Sequence, residues 1–141
     1  MKKTQEYKID PKEYKKILKT VDLQSIAIEA CSVKFNKKTY DTRLVININS
    51  ETSYENLENG SAIVKERYKL IARVHKERKQ ALNISCTFRL DFSCDKPLSD
   101  DFFEIFKTYN LPLNTWPYFR EFVQNMTQRM NIPPLTLPFM K

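Results

Sequence analysis

The chain has 141 residues, 41% of them hydrophobic and 29% charged, a balance that suits one ordinary soluble globular domain with a real core. Its net charge of +7 raises nucleic acid or an acidic protein as partners, but no recognition helix, zinc finger or aromatic RNA-binding motif accompanies the lysines, so nucleic acid is not expected as the main partner. One glycine in the whole chain excludes glycine-rich phosphate loops, and no apolar run approaches the length of a membrane span.

Residues 1–9 are polar and read as loose. Asp10-Pro11-Lys12-Glu13 supplies an N-cap, a proline at the first helical position and an acidic residue three places after the cap. That predicts a short helix to about Thr20, with Tyr14, Ile17, Leu18 and Val21 on one side. A first strand is read over 23–35, with Ile26 and Ile28 on one face and Ala27, Cys31, Val33 and Phe35 on the other. A second covers Thr42 to Asn49 with Leu44, Ile46 and Ile48 aligned, and Ser50 to Ser61 reads as a loop. A third runs from Ile63 to about Arg78. The fourth strand is the clearest element: Leu82, Ile84, Cys86, Phe88, Leu90 and Phe92 alternate strictly with polar residues, which a helix cannot gather onto one side. The short break near Lys79 predicts an antiparallel hairpin between strands three and four.

Pro97 ends the sheet region. Ser99 is a candidate N-cap for an aromatic helix carrying Phe102, Phe103, Ile105, Phe106 and Tyr109, and Asp100 and Asp101 suit its positive end. Leu111-Pro112-Leu113-Asn114 reads as a connector to a final helix from Trp116. In that helix Phe119, Phe122, Val123, Met126 and Met130 form an apolar stripe, and Pro133-Pro134 forbids its continuation. Strands first and helices last predict an α+β fold, a four-stranded antiparallel sheet with the C-terminal helices on one face, within a single domain spanning 1–141.

No converging catalytic constellation is legible. The three cysteines, Cys31, Cys86 and Cys94, contain no C-x-x-C pair and read as buried or half-buried free thiols. His75 has no second ligand nearby in sequence, so no metal site is expected, and neither is a cofactor. Arg120 and Glu121 diverge by about 100° on a helix and cannot act as a facing pair. An enzyme is therefore the last reading. The last third instead carries more aromatic and apolar surface than one sheet face and two helices bury easily: Trp116, Tyr118, Phe139 and Met140 add to the rings named above. The remainder is expected to face another subunit or a bound polypeptide.

The segments Pro117-Tyr118-Phe119-Arg120-Glu121 and Ile132-Pro133-Pro134-Leu135-Thr136-Leu137 resemble the end of the bacterial protein-export chaperone family, SecB, where a Pro-Tyr-Ala-Arg-Glu helix leads into an Arg-Gly-x-Phe-Pro-x-Leu-x-Leu-x-Pro tail. Asp22, Ser25, Ile28 and Glu29 are similar to the family's early strand, and the order of four strands, helix, connector and helix agrees. The segment matching residues 10–21 is largely extended in that family, which sets strand against the helix read from the cap. The resemblance implies a cytoplasmic, ATP-independent holding chaperone, a homotetramer built as a dimer of dimers, that binds unfolded polypeptide in an apolar groove. It places that groove near Phe35, Tyr40, Leu44, Ile46, Leu111, Leu113, Trp116, Phe119 and Leu135. Family members that serve secretion are acidic and carry an acidic tail that helps dock the export motor ATPase. This chain is basic and ends at Lys141, so engagement of the motor is left open, and the antitoxin-stabilising variant of the family fits as well. The second reading is a non-catalytic adaptor of the same fold that binds one folded protein.

Overall fold

The computed structural model describes residues 8–138, so residues 1–7 of the segment read as loose, and the apolar surface expected at Phe139 and Met140, lie outside the described residues; Ile9, read as loose, packs half-buried against the core. Helix α1, Pro11–Leu18, opens as its cap predicts, with the Asp10 carboxylate accepting from the Glu13 amide at 2.9 Å. Helix therefore prevails over the extended alternative. Four strands follow, β1 (Val21–Phe35), β2 (Leu44–Asn56), β3 (Ser61–Val74) and β4 (Gln80–Cys94), then α2 (Asp100–Tyr109) and α3 (Leu111–Arg129). All strand pairs are antiparallel and the sheet order is β1-β4-β3-β2. The two central strands carry the core. From Leu82 to Phe92 every alternate residue of β4 is buried, as are Ala62, Val64, Tyr68, Leu70 and Ala72 of β3.

Strand β1 departs from simple alternation. Ile26 lies opposite Leu90 and Ile28 opposite Phe88, but Ala30 lies opposite Thr87, so Glu29 is an extra residue in a β-bulge. One inserted residue reverses the facing of everything beyond it. Cys31, Val33 and Phe35, read as facing away from Ile26 and Ile28, therefore join them on the helix-covered face, opposite Cys86, Ile84 and Leu82, while Ala27 stays on the outer face opposite Arg89. Glu29 itself reaches Lys65 of β3 at 3.0 Å.

Strand β2 runs seven residues past the expected Asn49. Ser50, Thr52 and Tyr54 keep the inward alternation begun by Leu44, so the ladder to β3 holds until Asn56. The intervening turn then shrinks to Leu57–Gly60, where the sole glycine adopts φ +79°. Strand β3 ends at Val74 rather than near Arg78, because Lys76 and Arg78 take left-handed backbone in the hairpin turn.

The Ser99 hydroxyl caps α2, accepting from the Phe102 amide at 3.1 Å. The expected connector 111–114 is instead the first turn of α3: Asn110 closes α2 and opens α3 with helical dihedrals, and Pro112 sits where a helix tolerates proline. Pro117 lies inside α3 and supplies no N–H for Leu113, whose side chain is on the exposed side. Phe119, Phe122 and Val123 of the predicted stripe are buried against the sheet, and Met126 and Met130 flank them half-buried. Helix α1 leans on α2 by stacking Tyr14 on Phe102, with ring centroids 5.1 Å apart.

Candidate functional site: an apolar groove at the β2 edge

Beyond Arg129 the chain reverses at Asn131, whose φ of +59° ends the helical path, and returns beside α3 as an extended tail. Side chains of α3 hold this tail. The Thr127 hydroxyl accepts from the Leu135 amide at 2.9 Å, Arg120 Nε donates to the Leu137 carbonyl at 2.8 Å, and Trp116 Nε1 donates to the Pro138 carbonyl at 2.9 Å. Leu137 is buried in the core, whereas Leu135 is half-buried.

A cavity of about 250 Å³ opens between this tail and the start of β2, lined by Tyr40, Thr42, Leu44, Ile46, Ile132, Pro133 and Leu135. Two features suit it to an extended polypeptide. Its apolar walls are half-buried, so they are partly open before any ligand arrives. Strand β2 is also a sheet edge, pairing on one side with β3, and an edge offers unpaired backbone groups to an incoming strand. The Phe35 and Tyr40 rings meet edge to face at 5.7 Å, beside the cavity. The approach segment 36–43 carries Lys37, Lys38 and Arg43 against one acid, Asp41, whose carboxylate accepts from the Arg43 amide at 3.1 Å. That bond and the nearby guanidinium hold the Asp41 pKa below the usual carboxylate range, so it stays ionised and the surplus here is positive.

Beneath the helices lies a buried polar cluster. Tyr68 stacks on Phe119 at 4.9 Å, meets Trp116 at 5.6 Å, and its hydroxyl bonds the Thr115 hydroxyl at 2.7 Å. Glu66, only 2% exposed, accepts from the Thr52 hydroxyl at 2.9 Å. Burial raises its pKa against the opposing pull of bonds from Tyr68 and Thr52. Among the described residues no group of three or more His, Cys, Asp or Glu gathers as a metal site, and no helix is long and apolar enough to cross a membrane.

No protein-family model and no curated protein sequence matches the chain. Among solved structures, the Mycobacterium tuberculosis Rv1957 SecB-like chaperone, in complex with a ChAD peptide from the Rv1956 HigA1 antitoxin, superposes with a TM-score of 0.76 at 14% identity, covering 92% of this chain and 97% of that one. The chain has a SecB-like fold. A Streptococcus agalactiae protein also aligns, over 84% of this chain and 97% of that one, with a TM-score of 0.41 at 11% identity.

Within this SecB-like fold the residues assigned to a groove separate into three groups. Tyr40, Leu44, Ile46 and Leu135 line one cavity, and Phe35 touches it through Tyr40. Leu111 and Phe119 have no exposed surface; helical periodicity turns both toward the sheet, where they are core. Leu113, on the opposite side of α3, is 62% exposed, and Trp116 is half-buried against Tyr68. Thr42, Ile132 and Pro133 were missed as lining residues, although Pro133 falls on the alternate positions of the Leu135–Leu137 strip. Glu66 was missed too: it occupies an inward position of the β3 alternation, between Val64 and Tyr68.

The surplus of apolar surface is also distributed differently from the sequence-based expectation. Phe102, Phe103, Phe106, Phe119 and Phe122 are buried within the chain itself. Among the described residues the exposed large apolar side chains are Leu23 and Ile28 on β1, Val45 on β2, and Tyr109, Leu113 and Tyr118 on the helices. Cys31, on the edge strand β1, is exposed, whereas the sequence read all three cysteines as buried or half-buried.

Proposed function

We propose that this chain is an ATP-independent holding chaperone, not an enzyme, that keeps an unfolded or aggregation-prone polypeptide extended in the groove between β2 and the C-terminal tail. The observation that carries the reading is the half-open apolar cavity of Tyr40, Leu44, Ile46 and Leu135 on a sheet edge, in a fold shared with a SecB-like chaperone that binds an antitoxin peptide. Edge backbone groups would grip any extended chain, and the cavity would select apolar side chains at alternate positions. The cationic approach favours an acidic client, and an antitoxin-like segment is the preferred candidate. Phe35, Tyr40, Leu44, Ile46, Leu113, Trp116 and Leu135 are the residues proposed to meet the client or frame its path; Leu111 and Phe119 would support them from the core.

The same reading includes a homo-oligomer in the cytoplasm, with the exposed Leu23 and Ile28 of β1 and Leu113 and Tyr118 of α3 covered by other copies in a dimer-of-dimers arrangement. Docking to an export motor is not part of the proposal, given the positive net charge. The test is light scattering from a chemically unfolded, acidic client diluted into buffer with and without the protein, in the absence of nucleotide. Suppressed scattering at near-stoichiometric protein is expected. Undiminished scattering, together with capture of one folded partner, would replace this reading with that of an adaptor.

A further inference from the structure

The bulge at Glu29 has a chemical effect as well as a geometric one. With uninterrupted alternation Cys31 would lie opposite Ser85 on the outer face; the extra residue sets it directly opposite Cys86, on the same face of neighbouring antiparallel strands. Directly opposed residues in such a ladder have Cα atoms about 4.5–5.5 Å apart. A disulfide accepts Cα separations of about 4.4–6.8 Å, so the backbone already holds the two cysteines within bonding reach. Their surroundings differ. Cys31 is exposed on the edge strand, while Cys86 is 1% exposed in the core. Cys94 lies opposite Val21 and has no thiol across the ladder.

We propose that Cys31 and Cys86 form a cross-strand dithiol that low-molecular-weight disulfides oxidise reversibly to an intramolecular bridge. The Cys31 thiolate attacks one sulfur of the small disulfide RSSR, forming a Cys31–S–S–R bond and releasing RS⁻, which takes up a proton. Cys86 then loses its proton to solvent and attacks the Cys31 sulfur. The Cys31–Cys86 bond forms, the bond to R breaks, and a second RSH leaves. Two protein thiols are oxidised and one small disulfide is reduced to two thiols. Burial, with the neighbouring Cys31 thiol as a second cause, pushes the Cys86 thiol up to about 12, which assigns the first attack to exposed Cys31 and the slower resolving step to Cys86. The bridge would tie the bulged edge strand to the centre of the sheet.

The test exposes the full-length chain and its Cys94→Ser variant to oxidised glutathione, quenches with acid, and measures intact mass and non-reducing peptide maps. The C94S chain is expected to lose two hydrogens, about 2 Da, to leave no titratable thiol on unfolding, and to yield one cross-linked peptide joining Cys31 to Cys86, all reversed by a reducing thiol. The unsubstituted chain should give the same cross-linked peptide, so the result does not depend on the variant. In the C94S background, Cys31→Ser is expected to leave Cys86 reduced, because the small disulfide does not reach it. A stable glutathione adduct on Cys31, a chain dimer through two Cys31 residues, or an unreacted chain would each overturn the proposal.

Discussion

Phe119 offers the sharpest separation of support from contact. Its ring has no exposed surface, stacks on Tyr68 at 4.9 Å and lies 6.0 Å from Trp116. Truncating a buried phenylalanine to alanine costs about 3–5 kcal/mol, within which two lost ring contacts account for roughly 0.5–1.5 kcal/mol each. Against a total stability of about 5–15 kcal/mol, Phe119→Ala leaves a marginal fold. At a urea dependence of about 2 kcal/mol per molar, the unfolding midpoint falls by roughly 2 M. Tyr40→Ala removes a half-buried ring whose edge contact is to Phe35, and its midpoint is expected to fall clearly less than that of Phe119→Ala on the same scale. The assay is equilibrium urea unfolding at several protein concentrations, so that any oligomer reports itself as a concentration-dependent midpoint. The reasoning predicts that F119A weakens client holding only to the extent that it unfolds, whereas Y40A weakens it while folded. If Phe119→Ala shifts the midpoint no more than Tyr40→Ala, the assignment of Phe119 to the core is wrong.

Three further outcomes are expected. Ile46→Glu places a carboxylate in the apolar wall of the groove; client affinity by fluorescence anisotropy should fall at least about tenfold with far-UV circular dichroism retained, and unchanged affinity would move the client path elsewhere. Glu66→Gln tests the buried carboxyl. Because burial raises its folded pKa above the ordinary glutamate value of 4.5, the parent chain keeps the full stability of this group only below that value and loses it as pH rises through the folded pKa. The glutamine variant should therefore gain stability over the parent toward neutral pH and not at acid pH, so an unfolding-midpoint difference that stays flat between about pH 4 and pH 8 would exclude this account. Arg120→Ala removes the N–H that holds the Leu137 carbonyl; a loss of about 0.5–1.5 kcal/mol and faster amide exchange at Leu137 should follow, while unaltered exchange would mean the tail is held by packing and by the Thr127 and Trp116 bonds without Arg120.

The parts of the fold legible from sequence were those where one local rule acts alone. Leu82 to Phe92 alternate without interruption, and the Asp10 and Ser99 caps each satisfy an amide that their position predicts. The misjudged parts are places where two rules compete. In β1 the alternation is real on both sides of Glu29, but the bulge inverts its sense, and the charge that marks the inserted residue is satisfied by Lys65, two strands away. In β2 the inward positions after Ile48 are Ser50, Thr52 and Tyr54, so polarity hid a strand that exists partly to satisfy buried Glu66. The start of α3 was read as a connector because Pro112 and Asn114 are turn formers in isolation; the helix begins there because Leu111 and Thr115 are both fully buried one turn apart. Four of the residues that the resemblance placed in a groove, Tyr40, Leu44, Ile46 and Leu135, line one cavity because the tail turns back at Asn131 beside the start of β2. Leu111 and Phe119 were drawn in because hydrophobicity does not distinguish a wall from its foundation.

The topology itself argues for where a client would be held. The order β1-β4-β3-β2 places the two strands with the strictest apolar alternation at the centre and the two mixed strands at the edges. The helices cover the centre, so the core closes on β3 and β4 and leaves β1 and β2 half-covered with free ladder edges. A holding protein needs a surface that is attractive to unfolded chains without being fully satisfied by its own, and edge strands meet that condition while exposing the protein to self-association. On β2 the cationic approach of Lys37, Lys38 and Arg43 opposes pairing with another copy of the same basic edge and admits an acidic guest. On β1 no such charge cluster guards Leu23 and Ile28, which is why the proposed contact between copies belongs there and the proposed client groove belongs at β2.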